Sequence, residues 1–149
     1  MWRSEDDTHA FALRLAACAA LRGAFVELHG ELGAGKTTFV RHLLRSLGVV
    51  GRIKSPTYAV VEPYELAGGP PAWHFDFYRF DDPREWEDAG FRDIFTAPGL
   101  KLAEWPEKAD GVLPTADLVV RIEVLDDGSR RVTLTAPTLL GATLLEAAA

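Results

Sequence analysis

The residues best equipped for chemistry lie in one stretch, Gly30-Glu31-Leu32-Gly33-Ala34-Gly35-Lys36-Thr37-Thr38. Its first eight positions follow the spacing G-x-x-x-x-G-K-T, which suits a loop that wraps phosphate in main chain. Gly30, Gly33 and Gly35 remove the Cβ atoms that would block close approach and permit positive φ. The backbone from Leu32 through Gly33, Ala34, Gly35, Lys36 and Thr37 to Thr38 would then turn its amides toward a triphosphate. It would do so at the positive end of a helix dipole. Lys36 would neutralise the β and γ phosphates, the Thr37 hydroxyl would hold Mg²⁺, and the Thr38 hydroxyl would reach the α phosphate.

Two carboxylates downstream could complete such a site. Asp76 ends the aromatic run Ala72-Trp73-His74-Phe75-Asp76, as a Walker B acid ends its strand. Glu104 ends Gly99-Leu100-Lys101-Leu102-Ala103, and strand ends are where open α/β sheets place their ligand groups. Each could assist Mg²⁺ or its waters, and Glu104 could instead orient an attacking water. Read alone, either could also be an ordinary strand-end acid. Ser55-Pro56-Thr57-Tyr58 could sense a γ phosphate, although a rigid lead-in to the next strand is the plainer reading. Arg79, Arg84 and Arg92 read as solvated surface rather than as arginine fingers. His74 lacks a partner His or Cys at ligand spacing, so a metal role is not indicated. His9, His29 and His42 read as structural or surface residues for the same reason.

The loop has meaning only between a strand and a helix. Ala24 to His29 reads as a buried strand. Thr38 to Leu47 carries apolar residues at helical spacing, and Gly48 supplies a stop. Upstream, Ser4 with Glu5, Asp6 and Asp7 marks a helix start. That helix is expected to bury Phe11, Leu15, Cys18 and Ala19 and to end near Gly23, with Thr8 early in it. Ala59 to Glu65 reads as a strand that Pro63 confines to an edge or an end. A turn over 67–71 precedes the strand that carries Asp76. Asp82 and Pro83 resemble the cap and first position of a helix. Residues 117–125 and 131–136 read as two antiparallel strands joined at Asp126-Asp127-Gly128. The tail from Pro137 would add a short helix or stay loose.

With 149 residues, 48% hydrophobic and 26% charged, the chain suits one globular α/β domain over 1–149. The expected fold is a three-layer P-loop NTPase sheet, mixed but mainly parallel, with a C-terminal antiparallel hairpin. A net charge of −6 argues against broad nucleic-acid binding by this chain alone. One cysteine, Cys18, cannot form an internal disulfide. With no apolar run of membrane length and no basic leader, a cytoplasmic location is expected.

Several motifs in order resemble the TsaE (YjeE) family of P-loop ATPases: the loop through Phe39, Lys54-Ser55-Pro56-Thr57-Tyr58, Val61-Glu62-Pro63-Tyr64, His74-Phe75-Asp76-Phe77-Tyr78-Arg79 and Glu104-Trp105-Pro106-Glu107. The resemblance spans about residues 4 to 136. It implies ATP and Mg²⁺ as cofactors, and TsaD-like and TsaB-like proteins as partners. It further implies a supporting role in forming threonylcarbamoyladenosine beside the tRNA anticodon, with tRNA contacted only indirectly. By resemblance Lys36 contacts phosphate, Thr37 and Glu104 hold Mg²⁺, and Asp76 is the Walker B acid. Ser55 to Thr57 would be switch-like, Thr8 would lie near the nucleotide, and Arg131 would match a C-terminal arginine of uncertain role. Rival readings are a small-molecule kinase, for which a lid insertion is lacking, and a GTPase, for which N-K-x-D is lacking. A third is a nucleotide-dependent binding module with negligible hydrolysis of its own.

Overall fold

The computed structural model describes residues 1–56, 60–80, 82, 84–88 and 90–149, with backbone alone at 87 and 88. Thr57, Tyr58, Ala59 and Pro83, which carried part of the expectations above, lie outside the described residues. The strands are β1 (Phe25–His29), β2 (Val61–Tyr64), β3 (Ala72–Asp76), β4 (Leu100–Glu104), β5 (Leu118–Val124) and β6 (Arg130–Thr135). The helices are α1 (Glu5–Ala16), α2 (Lys36–Ser46), α3 (Arg84–Asp88), α4 (Phe91–Thr96) and α5 (Leu139–Ala148).

The six strands form one sheet in the order β2-β3-β4-β1-β5-β6. The four central strands run parallel, and each edge strand pairs antiparallel with its neighbour. The expected mixed, mainly parallel sheet is therefore what forms, with β5 and β6 as its antiparallel pair. A second antiparallel pair, β2 with β3, adds Pro63 on an edge strand, where its missing N–H costs no ladder bond.

Alternation along the parallel strands sorts side chains into two cores. Val26, Leu28, Leu100, Leu102, Leu118 and Val120 pack with Phe11 and Leu15 of α1, Phe39, Val40, Leu43 and Leu44 of α2, and Leu144 of α5. Phe25, Phe75 and Phe77 pack on the opposite side with Trp86 of α3 and Phe91 of α4. The central strands are covered on both faces, which is why they read as near-continuous apolar runs.

The N-terminal helix is shorter than expected. It stops at Ala16, and a 3-10 turn over Ala19–Gly23 follows. Leu21 of that turn enters the core, while Ala19 is exposed and Cys18 only half-buried. Ser4 holds the cap position without a side-chain capping bond. Instead the Asp7 carboxylate reaches back to accept from the Arg3 amide at 2.7 Å. Asp82 does accept from the Arg84 amide at 2.9 Å, as a cap for α3 should.

The tail forms α5. Thr138 caps it by accepting from the Gly141 amide at 3.1 Å and donates its hydroxyl proton to Asp117 at 2.7 Å. Asp117 also accepts from the Phe25 amide at 2.8 Å, so one carboxylate ties the starts of α5 and β1. Gly141 packs so closely that an added Cβ would fall on the Asp117 carbonyl oxygen. Helix propensity alone would make Gly141→Ala stabilising by ~1 kcal/mol. The backbone collision outweighs it, and a net loss of about 1–3 kcal/mol is expected in chemical denaturation. A gain in stability would mean that α5 docks differently.

Candidate functional site

The C-terminal ends of β1, β3 and β4 lie side by side. Leu28 is in register with Glu104, and Glu104 with Asp76. Paired residues share a face, so both carboxylates project toward the side that α2 covers. The loop after β1 curls over these ends and delivers the start of α2 to them. Gly30, Gly33 and Gly35 have φ of 153°, 79° and 109°. A Cβ at Gly30 would come within 2.7 Å of the Ile122 carbonyl oxygen, so this tight exit from β1 needs glycine for space as well as for φ.

The first bond of the α2 ladder runs from the Phe39 amide to the Gly35 carbonyl. The amides of Lys36, Thr37 and Thr38 precede that ladder and are the orphan donors of a helix N-terminus. Ala34 behaves differently from the rest of the loop. Its amide donates to the Glu31 carbonyl, its carbonyl accepts from Arg130 Nε at 2.6 Å, and its side chain is buried. It shapes the loop, and its amide is already engaged there.

Leu32, Gly33, Gly35, Lys36, Thr37 and Thr38 line a cleft of about 340 Å³ together with Ser55, Asp76, Tyr78, Glu104, Trp105 and Arg130. Lys36 is buried, with Nζ donating to the Gly30 carbonyl at 2.5 Å and lying 3.6 Å from the centre of the Trp105 ring. Burial pushes its pKa below the ordinary lysine value, against the opposing pull of Glu104, Glu107, Asp76 and Glu31. Trp105 holds a left-handed φ of 55°, an unusual backbone for a tryptophan and the sort of local strain that gathers at functional sites. Thr37 Oγ1 donates at 3.0 Å to the Glu104 carboxylate, equidistant from both oxygens. Thr8 is buried beside the loop, where a smaller cavity of about 200 Å³ is lined by Ser4, Glu5, Thr8, Gly35, Thr38 and Arg130.

Four residues at the site were given no role in it by reading along the chain: Tyr78 and Trp105, which line the cleft, and His74 and Arg130. His74 is fully buried and bonds Glu104. Arg130, the neighbour of Arg131, is the arginine at the loop. Arg131 points to the exposed side of β6 and pairs with Glu123 at 3.1 Å. Of the three arginines considered as fingers, Arg84 pairs with Asp82 at 2.8 Å, and Arg79 and Arg92 are exposed. Among the described residues, none of these three lines the cleft.

Asp76 is buried, and its carboxyl pKa is raised, first by burial and further by the Glu104 charge, while a bond from the Tyr78 amide at 3.0 Å opposes the rise. A raised folded-state value means that the proton is held more tightly in the folded chain. The stability Asp76 contributes is therefore fully present below its ordinary 3.8 and is lost as pH rises through the raised value. At neutral pH the ionised group is a net cost. Asp76→Asn keeps an acceptor for the Tyr78 amide, so it should stabilise the nucleotide-free protein at pH 7 by on the order of 1 kcal/mol. The gain should shrink toward zero in acid. Thermal unfolding at several pH values checks this, and a less stable variant at pH 7 would refute it.

The fold and this loop define a P-loop protein of the mixed α/β class. A family model described as "Threonylcarbamoyl adenosine biosynthesis protein TsaE" matches residues 2–132. The tRNA threonylcarbamoyladenosine biosynthesis protein TsaE of Haemophilus influenzae is 46% identical over 126 residues, covering 85% of this chain and 78% of its own. The protein of the same name from Bacillus subtilis is 36% identical over 137 residues, covering 91% and 84%. The crystal structure of Bacillus subtilis YdiB superposes with a TM-score of 0.80 at 31% identity, covering 97% of this chain and 88% of that one. The chain belongs to the TsaE family. Among the described residues, no helix is long and apolar enough to cross a membrane.

Proposed function

We propose that this protein binds and hydrolyses ATP with Mg²⁺ in support of the assembly that forms threonylcarbamoyladenosine in tRNA. One observation carries the reading: Lys36, Thr37, Asp76 and Glu104, drawn from three separate stretches of chain, converge on one cleft beneath a glycine loop. The donor set suits Mg²⁺ rather than a metal caged by protein. Among the described residues no trio of His, Cys, Asp or Glu could hold an ion. Mg²⁺ characteristically takes one or two protein oxygens and fills its shell with phosphate and water.

In this reading the amides of Lys36, Thr37 and Thr38 cradle phosphate oxygens, and Lys36 leaves the Gly30 carbonyl to neutralise the β and γ phosphates. Thr37 and Glu104 would hold Mg²⁺, which would supply charge neutralisation across the phosphates when bound. Asp76 would accept a hydrogen bond from the attacking water or assist the metal's hydration. Leu32 and Gly33 form the lip, Thr8 and Arg130 brace the loop from outside, and Ser55 brings a partner-facing segment to the nucleotide. Rate enhancement comes from positioning and charge, as phosphoryl transfer requires. The partners are TsaD-like and TsaB-like proteins, and tRNA is engaged through them.

Calorimetry with ATP and Mg²⁺, and hydrolysis measured with and without those partners, test the reading. Binding by the free chain, with turnover that rises when partners are added, is the expected result. No binding of adenine or guanine nucleotide under either condition would overturn it. Binding with no hydrolysis in either condition would leave a nucleotide-dependent docking module, the reading that Ser55 at the cleft also favours.

A further inference from the structure

His74 lies in the middle of β3, on the same face as Asp76 two residues on. It is fully buried, and its Nε2 is 2.6 Å from Glu104 Oε2. A carboxylate cannot donate, so Nε2 carries the hydrogen and donates it. The other ring nitrogen, Nδ1, has no hydrogen-bond partner among the described residues. A buried polar nitrogen without a partner is costly, and a leucine would fill the same space without that cost. The histidine is therefore poorly explained as filler. What it does make is one short bond, to the carboxylate that Thr37 also contacts.

We propose that His74 is a positioning residue that fixes the Glu104 carboxylate for Mg²⁺. The inference rests on the reading of Thr37 and Glu104 as metal ligands given above. A glutamate side chain has three rotatable bonds, and a free one would sample many orientations at the mouth of the cleft. The Nε2–H bond pins Oε2 from the sheet side. The Thr37 hydroxyl, at 3.0 Å, then meets the carboxylate from the α2 side. The carboxylate is gripped between a strand and a helix. Its orientation is set before any metal arrives, as hydrogen-bonded partners of ligating groups generally do.

The register makes this contact possible. His74 is opposite Leu102 on β4, so it reaches Glu104 diagonally along the shared face. Asp76, directly opposite Glu104, is the wrong partner for the task because both groups are anionic. A hydrogen-bond donor one step back on the strand is what the geometry allows.

The test compares His74→Leu, which fills the volume but cannot donate, with His74→Gln, whose side-chain amide can present a donor near the Nε2 position. Metal affinity is read by electron paramagnetic resonance of Mn²⁺ titrated into protein saturated with a non-hydrolysable ATP analogue. Binding of the analogue without metal is read by calorimetry. The expected result is a ~10-fold loss of Mn²⁺ affinity in His74→Leu, recovery to within about threefold in His74→Gln, and metal-free nucleotide binding unchanged in both. Wild-type metal affinity in His74→Leu, or an equal loss in both variants, would overturn the proposal. If His74→Leu does not fold, His74→Asn, too short to reach Glu104, takes its place with the same expectations. Failure of the wild-type protein to bind the analogue in any condition would instead defeat the nucleotide reading, and this inference with it.

Discussion

On the proposed function, Lys36→Met is expected to lower ATP turnover by about 10²–10³-fold, the scale seen when one preorganised charge or donor is removed from a transition state. It should also weaken nucleotide binding, because in that reading the same ammonium meets the ground-state phosphates. The variant should nevertheless be no less stable than wild type without nucleotide. Lys36 is buried, and its pKa is lowered by burial above all, so the charged form is a cost to the empty fold. The sign follows from the direction. A folded-state value below the ordinary 10.5 means that the penalty is present in full at neutral pH, and is relieved only as pH rises through the lowered value toward 10.5. Met keeps most of the buried stem and removes the charge that lies over the Trp105 ring. Hydrolysis assays and calorimetry read the first effect, and thermal melts without nucleotide read the second. Full turnover in the variant would remove Lys36 from the site. A large loss of stability would mean that the bond to the Gly30 carbonyl is structural in its own right.

The second large effect is expected from Glu104→Gln. Its carboxylate meets Thr37 and His74 and is almost wholly buried. The amide is isosteric, so the packing survives, but the charge that Mg²⁺ needs is gone. Turnover at low Mg²⁺ should fall about 10–100-fold, the range typical of disturbed metal sites, and rise partly as Mg²⁺ is added. Binding of nucleotide without metal should stay within about threefold of wild type, because the amide cradle and Lys36 carry it. A Mg²⁺ titration curve superimposable on that of wild type would exclude Glu104 as a ligand. Glu104→Ala is the poorer test. It would strand the His74 N–H in the core, and the resulting loss of stability would obscure the metal effect.

His74 and Arg130 were hidden from the sequence for geometric reasons. His74 has no His or Cys at ligand spacing along its own strand, and its partner is a glutamate thirty residues away on the adjacent strand. Spacing along one strand carries no information about a contact across two. Arg130 and Arg131 are neighbours in sequence and opposites in space. On an edge strand successive side chains face opposite ways, so a one-residue uncertainty exchanges a loop-bracing residue for a solvent-exposed one. What places Arg130 is a pair of backbone bonds with Trp2, at 2.9 and 2.8 Å, which hold β6 against the N-terminus. That contact joins residue 2 to residue 130, and no local pattern announces it.

The glycine-rich loop, the strands and helices on either side of it, and the candidate acids Asp76 and Glu104 were all determined by the sequence. These depend on local chemistry: glycines where φ is positive, apolar runs where both faces are covered, acids at strand ends. The order β2-β3-β4-β1-β5-β6 was decided by tertiary structure, and with it the meeting of Thr37, Glu104 and His74. Tertiary structure also chose the arginine beside the loop and docked α5 through Asp117 and Gly141. Each of those outcomes depends on which strand lies beside which, and that is a property of how two cores close on one sheet rather than of any single stretch of chain.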